Sequence, residues 1–181
     1  MSTSASSDPF AQLKDIERRS RVHALGLPRQ EQARKQSVGL GFRMGADLFM
    51  APSGSVSEML KLPPLTRVPG VKPWVKGIAN IRGRLVPLVD VRGCMGGGMS
   101  EVTEQSRVLI VQHADSSTGV LVDEILGLKH FLEEERSAVD SAHSSYLDDY
   151  IDGAFVQDEV RWIELNIGKL VSSTAFLQAG Q

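Results

Sequence analysis

Residue types able to do covalent or metal chemistry occur in this 181-residue chain, but not in the arrangements that such chemistry needs. The four histidines, His23, His113, His130 and His143, form no H-E-x-x-H and no pair at the helical spacing that would hold a zinc ion. No serine stands in a nucleophile elbow. Cys94 is the single cysteine, which rules out an internal disulfide and a cysteine-based metal site. A reactive thiol needs a neighbour that lowers its pKa, so an inert or partly buried thiol is the expectation here. Asp123 and Glu124 are adjacent carboxylates on an expected strand, where neighbours point to opposite faces, so they are not expected to converge on one substrate. Asp148, Asp149 and Asp152 lack the alternating oxygen ligands and closing Glu of a calcium loop. Gly39, Gly41 and Gly45, and the run from Gly93 to Gly98, lack the helix that must follow a phosphate-binding loop. The expectation is a non-enzyme with no catalytic residue, no cofactor and no metal.

What remains is recognition, concentrated between Val68 and Gly98. Two apolar runs, Ile78 to Ile81 and Leu85 to Asp90, flank the pair Arg82-Gly83, and Gly83 supplies the positive φ that a two-residue turn requires. A β-hairpin follows from this pattern. It lifts Arg82 and Arg84 out at its tip beside Ile81, Leu85 and Val86, so a rigid element presents guanidinium groups next to apolar surface.

The elements around the hairpin are mostly strands. Leu40, Phe42 and Met44 alternate with Gly41, Arg43 and Gly45, and a turn at Gly45-Ala46-Asp47 leads into Leu48 to Pro52. Val56 to Leu60 suits a short strand or a helical turn, Leu62 to Gly70 an extended connection, and Pro73 to Lys76 one helical turn. Arg92 to Gly98 reads as a flexible loop. A polar stretch from Met95 to Ser106 then separates two groups of strands and is expected to cross between them. Arg107 to His113, Gly119 to Ile125 and Gly127 to Leu132 read as strands, and Glu133 to Arg136 as a solvated loop. A last hairpin, Tyr150 to Gln157 and Val160 to Leu165, turns at Asp158-Glu159, and Asn166 caps a short helix from Ile167 to Leu170. Ahead of all this, Asp8-Pro9 opens a helix carrying Phe10, Leu13 and Ile16, with Ala24 and Leu25 before a stop at Gly26 and Pro28. That helix either packs on its own domain or serves as a docking arm. The expected division is an N-terminal start, helix and linker over 1–37, one domain over 38–171, and a tail over 172–181 without a clear signal. Two small β-barrels side by side are the expected architecture.

With 20 basic and 22 acidic residues the net charge is −2, which does not advertise nucleic acid as a partner. No apolar stretch approaches the roughly 20 residues that span a bilayer, so direct membrane insertion is not expected and a cytoplasmic location is.

The string Gly77-Ile78-Ala79-Asn80-Ile81-Arg82-Gly83, followed by an apolar strand with Pro87 and ending in Asp90, resembles the signature of the CheW family, the adaptors of bacterial chemosensory arrays. Val56-Ser57-Glu58-Met59-Leu60 resembles the family's V-x-E-I-L stretch, and Gly119 to Ile125 its G-x-x-V-D-E-V strand, in the same order along the chain. The approach from Pro69 to Gly77 and the extra N-terminal helix look most like the members that serve chemosensory control of type IV pili. The resemblance implies a mostly β fold of two five-stranded barrel-like subdomains sharing a hydrophobic core. It also implies a non-enzymatic adaptor between the signalling tip of a methyl-accepting chemoreceptor and the regulatory domain of a CheA-type histidine kinase, reaching the membrane through its partners. Control of twitching motility is the expected pathway, with flagellar chemotaxis as the alternative.

By the family pattern the receptor-side role falls on Glu58, Asn80 and Arg82, with Val56, Ile81 and Val86 as apolar anchors for a helix lying in a groove. Glu58 and Arg82 have an alternative in a mutual salt bridge that holds the hairpin, and Asn80 in a turn hydrogen bond. For the kinase, the expected surfaces are the sheet edge with Leu40, Phe42 and Leu48 and the strand ends with Val120, Val122 and Ile125. The competing reading from another class is a small barrel that binds single-stranded nucleic acid, for which two Trp and two Tyr offer little stacking surface.

Overall fold

In the computed structural model, residues 36–113, 116–138 and 145–177 are described, together with 10, 13, 14 and 17. The chain divides into two units, Met1–Arg34 and Lys35–Gln181. In the first, Phe10, Leu13, Lys14 and Glu17 are helical, and Phe10 and Leu13 are exposed. The expected helix positions Ile16, Ala24 and Leu25, and the linker from Pro28 to Lys35, lie outside the described residues.

The second unit holds eleven described strands in two curled antiparallel-rich sheets. One sheet has the order β8-β1-β2-β11-β10-β9 and the other β3-β6-β7-β5-β4. The first is built from β1 (Gln36–Met44), β2 (Asp47–Pro52), β8 (Glu124–Leu132), β9 (Arg136–Ser137), β10 (Ile151–Gln157) and β11 (Val160–Leu165). The second comprises β3 (Glu58–Lys61), β4 (Val75–Ile81), β5 (Arg84–Val89), β6 (Arg107–His113) and β7 (Ser116–Val122). Three hydrophobic clusters result. Ala79, Val86, Leu88, Val108 and Ile110 fill the five-stranded sheet, and Met50, Phe131, Phe155 and Trp162 fill the other. The largest cluster joins them, drawing Leu40, Phe42 and Phe49 from one sheet and Val89, Leu109 and Val120 from the other. Two barrel-like halves with a common core are what the sequence reading expects, but one sheet has six strands where five are expected, the two-residue β9 being added at its edge.

The path of the chain between the halves differs from that reading. The stretch from Met95 to Ser106 does not cross between sheets, because β5 before it and β6 after it belong to the same one. The chain crosses instead after Pro52, where Ser57 N–H and Oγ–H both donate to Ile110 O, and returns at Asp123. Asp123 is the break between β7 and β8, which the sequence reading had run together as one strand to Ile125. Its carboxylate accepts from Gly45 N–H at 2.6 Å and from Arg43, whose second amino group lies 3.5 Å from Glu124. The two carboxylates therefore do converge, on one guanidinium, because a strand break lifts the alternation that would have kept them apart.

Local chemistry explains the remaining elements. Two of the two-residue hairpins have both central residues at positive φ: Arg82 at 51° with Gly83 at 81°, and Asp158 at 52° with Glu159 at 65°; the β1–β2 turn has Gly45 at 65°. This is the geometry whose twist matches paired strands. β1 is buried on both faces: Leu40, Phe42 and Met44 enter the common core, while a Cβ on Gly41 would meet the Trp162 ring at 2.8 Å. Those glycines are for packing, not for phosphate. The expected loop after Asp90 begins with a helical turn, α1 (Val91–Cys94), because the Asp90 carboxylate caps it through Gly93 N–H. Pro73 to Lys76 makes a turn that passes directly into β4 instead of a helix. Glu133 to Arg136 is likewise not simply solvated: Arg136 pairs with the buried Glu164 at 2.9 Å and lies over the Phe155 ring. After α2 (Ile167–Val171), capped by Asn166, the tail folds into α3 (Thr174–Leu177), and buried Phe176 packs against Trp74.

Candidate functional site

Asn80, Arg82 and Glu58 come together at one end of the five-stranded sheet. Strand pairing places β3 and β4 at its two opposite edges, yet Arg82 Nη2 reaches Glu58 Oε1 at 2.7 Å. The pair spans the gap. Lower down, Thr66 on the connection between β3 and β4 pairs with the outer edge of β4 by exchanging two 2.9 Å backbone hydrogen bonds with Ile78. Asn80 Oδ1 accepts from Gly83 N–H at 2.9 Å, which locks the turn that presents Arg82. Both local roles weighed for these residues are therefore occupied in the structure. Arg82 nevertheless leaves 80% of its side chain in solvent, whereas Glu58 leaves 24%.

A groove of about 430 Å³ opens beside the pair, with Ile81, Arg84, Ile110 and Gln112 among its walls. A second, smaller one of about 130 Å³ runs along the other side of Glu58, between β1, the start of β8 and the β2–β3 crossing, lined by Leu40, Val56, Met59 and Leu128. Glu58 thus faces both. Met59 and Leu128 are exposed large apolar side chains, as is Leu85 beside the hairpin tip. The sequence reading did not single out Met59 or Leu128. Leu128 lies between Gly127 at φ 83° and Lys129, beside the register shift of β1 and β8, an irregularity that the sequence does not display.

The other expected site residues distribute differently. Val56 and Ile81 are half-buried at the groove walls, and Val86, although almost wholly packed into the small core of its sheet, also lines the larger groove. Of the expected kinase-facing set, Leu40, Phe42, Val120 and Val122 are buried in the common core. Leu48 and Ile125 are half-buried. The reason is that both sheets curl around the same interior: the alternation in β1 and the apolar run of β7 mark inner faces, not exposed edges. Cys94 is half-buried and in no disulfide, and burial pushes its pKa up despite the nearby Lys72 ammonium. That is an inert environment. Among the described residues, no helix is long and apolar enough to cross a membrane.

Comparison with known proteins identifies the family. Residues 38–175 match the CheW-like domain family. The chain is 41% identical to Protein PilI of Pseudomonas aeruginosa over 93% of its length and 94% of that protein's. It is 30% identical to the chemotaxis protein CheW of Helicobacter pylori over 63% of this chain and 68% of the relative. Its fold superposes on the crystal structure of the scaffolding protein TtCheW from Thermoanaerobacter tengcongensis with a TM-score of 0.68 at 19% identity, covering 82% of this chain and 96% of that one. With the match running from the first strand to the C-terminal helices, the chain belongs to the CheW-like family.

Proposed function

We propose that this protein is a non-enzymatic adaptor that couples a methyl-accepting chemoreceptor to a CheA-type histidine kinase, in a chemosensory system that controls type IV pilus twitching. The observation that carries the reading is the Glu58–Arg82 pair, set between two grooves and flanked by exposed Met59, Leu85 and Leu128. Apolar anchors around one partly solvated ion pair suit a helix laid in a groove, where the anchors supply affinity and the charges fix register. The likeness to Protein PilI over nearly the full length of both chains favours the pilus pathway over the flagellar one. Receptor contact is assigned to Glu58, Arg82 and the half-buried Val56 and Ile81. Kinase contact is assigned to the six-stranded sheet, where Leu48 and Ile125 keep part of their surface. The protein works in the cytoplasm and meets the membrane through the receptor.

The test is a calorimetric titration against the regulatory domain of a CheA-type kinase from the same genome, followed by one against the receptor's signalling tip. Saturable binding to both is expected. Failure of both, with all proteins folded, would overturn the adaptor reading.

A further inference from the structure

The stretch from Met59 to Val89 carries six of the chain's 20 basic residues, Lys61, Arg67, Lys72, Lys76, Arg82 and Arg84, and none of its 22 acidic ones. In a chain of net charge −2 this is a segregated positive field. Two of the six are held by carboxylates: Arg82 by Glu58, and Lys76 by the buried Asp90 at 3.2 Å. The side chains of Arg67 and Lys72 make no ion pair or hydrogen bond among the described residues. They stand at one groove of about 420 Å³, whose walls include Val68, Val71 and Val75 with Lys76 at hand. Gly70, at φ 70°, reverses the chain between Val68 and Val71, so both arms of the connection face the same space. This groove shares no lining residue with the one at Arg82.

We propose that it binds an acidic, apolar peptide segment of a partner protein. A carboxylate seats between the Arg67 guanidinium and the Lys72 ammonium, and the adjoining aliphatic side chain packs on Val68, Val71 and Val75. Guanidinium and carboxylate pair through parallel hydrogen bonds, which gives the site direction as well as charge. The lining is mainly polar, with three half-buried valines beside the cations, and this concave mixture favours a peptide over the other anionic partners. A nucleic acid strand needs aromatic faces for its bases, and Trp74, the one aromatic in this stretch, is buried in the common core. A flat membrane surface would reach the exposed Arg67 but not the groove walls.

The experiment uses the full chain and a fluorescein-labelled peptide that alternates Glu and Leu, read by anisotropy. Saturable binding is expected at low salt, weakening by about tenfold or more at high salt as the charges are screened. The double variant Arg67→Glu/Lys72→Glu loses the binding with an unchanged melting curve. Arg84→Glu, which removes a charge of the same stretch outside this groove, retains it. The same peptide with Lys in place of Glu does not bind. The proposal is overturned if the acidic peptide fails to bind at low salt, or if Arg84→Glu abolishes binding as fully as the double variant. It is equally overturned if the protein binds phosphatidylglycerol vesicles but not the peptide.

Discussion

Arg82 and Glu58 meet at 2.7 Å although strand order places them on opposite edges of one sheet. The contact therefore has two possible consequences, closing the barrel and presenting charge to a partner, and their energies differ. An ion pair with one partner largely in solvent contributes about 0.5 kcal/mol to stability, and two backbone hydrogen bonds between Thr66 and Ile78 tie the β3–β4 connection to β4 without it. The pair is cheap to break in the fold, so under the proposed adaptor role its loss is expected to register mainly in binding.

Arg82→Ala is accordingly expected to lower unfolding stability by less than about 1 kcal/mol in urea while weakening receptor-tip binding by about tenfold or more. Arg82→Gly sharpens the comparison, because it removes the guanidinium and relaxes a non-glycine residue at φ 51°. Parallel titrations and melts check both. Loss of stability as large as the loss of binding would place Arg82 on the structural side only.

Asn80 tests the turn. Asn80→Ala removes the acceptor for Gly83 N–H and is expected to cost about 1 kcal/mol, while Asn80→Asp keeps the acceptor and restores most of it. Urea denaturation of the two variants separates this role from a purely interfacial one, in which stability would not change.

Much of this arrangement was legible beforehand, for identifiable reasons. Hairpins announce themselves locally: Arg82-Gly83 and the Asn80 acceptor lie within four residues of one another, and the short-range pattern sufficed. Long-range closure does not. Nothing near Asp123 in sequence says that Arg43 and Gly45 will seize its carboxylate, so the strand break and the true crossing point were invisible. Burial failed in the same way. Phe42 and Val120 alternate or cluster as any strand residue does, and only the meeting of two curled sheets turns their faces inward. The tail offered still less, since Phe176 gains its meaning from Trp74, about a hundred residues earlier.

The glycines of β1 give a packing prediction. A Cβ on Gly39 would run into the Met50 side chain and stand 2.5 Å from Ala51 O, a backbone atom that cannot step aside. Gly39→Ala is expected to cost about 3 kcal/mol, and Gly41→Ala, whose nearest neighbours are the Trp162 and Lys129 side chains, somewhat less. Thermal melts that rank the two the other way would contradict this packing.

Cys94 carries a pH prediction. Its folded pKa is raised, chiefly by burial, so the folded protein holds the thiol proton to higher pH than the unfolded chain does. The sign follows: this contribution to stability is complete below the unfolded thiol pKa and falls away as pH rises through the folded value. Alkylation by iodoacetamide should be slower than for a free-cysteine peptide at mildly alkaline pH. Lys72→Ala should slow it further, because the ammonium it removes is the group that favours the thiolate.

Asp90 is the buried charge on which the region after the hairpin depends. Its carboxylate, fully removed from solvent, accepts from Gly93 N–H, from Ser100 N–H at 2.7 Å and from Ser100 Oγ–H at 2.9 Å, and it faces Lys76 at 3.2 Å. It caps α1 and pins the start of the stretch that leads to β6. Asp90→Ala leaves the buried Ser100 N–H, the half-buried Gly93 N–H and the Lys76 ammonium without this acceptor, so a loss of about 3–5 kcal/mol is expected. Ser100→Ala removes one hydrogen bond and leaves the charge satisfied, costing about 1 kcal/mol. Asp90→Asn is the diagnostic variant: it keeps oxygen for one donor but strands Lys76, and should fall between the two. Equal stabilities for Asp90→Asn and Ser100→Ala would mean that the Lys76 contact contributes nothing.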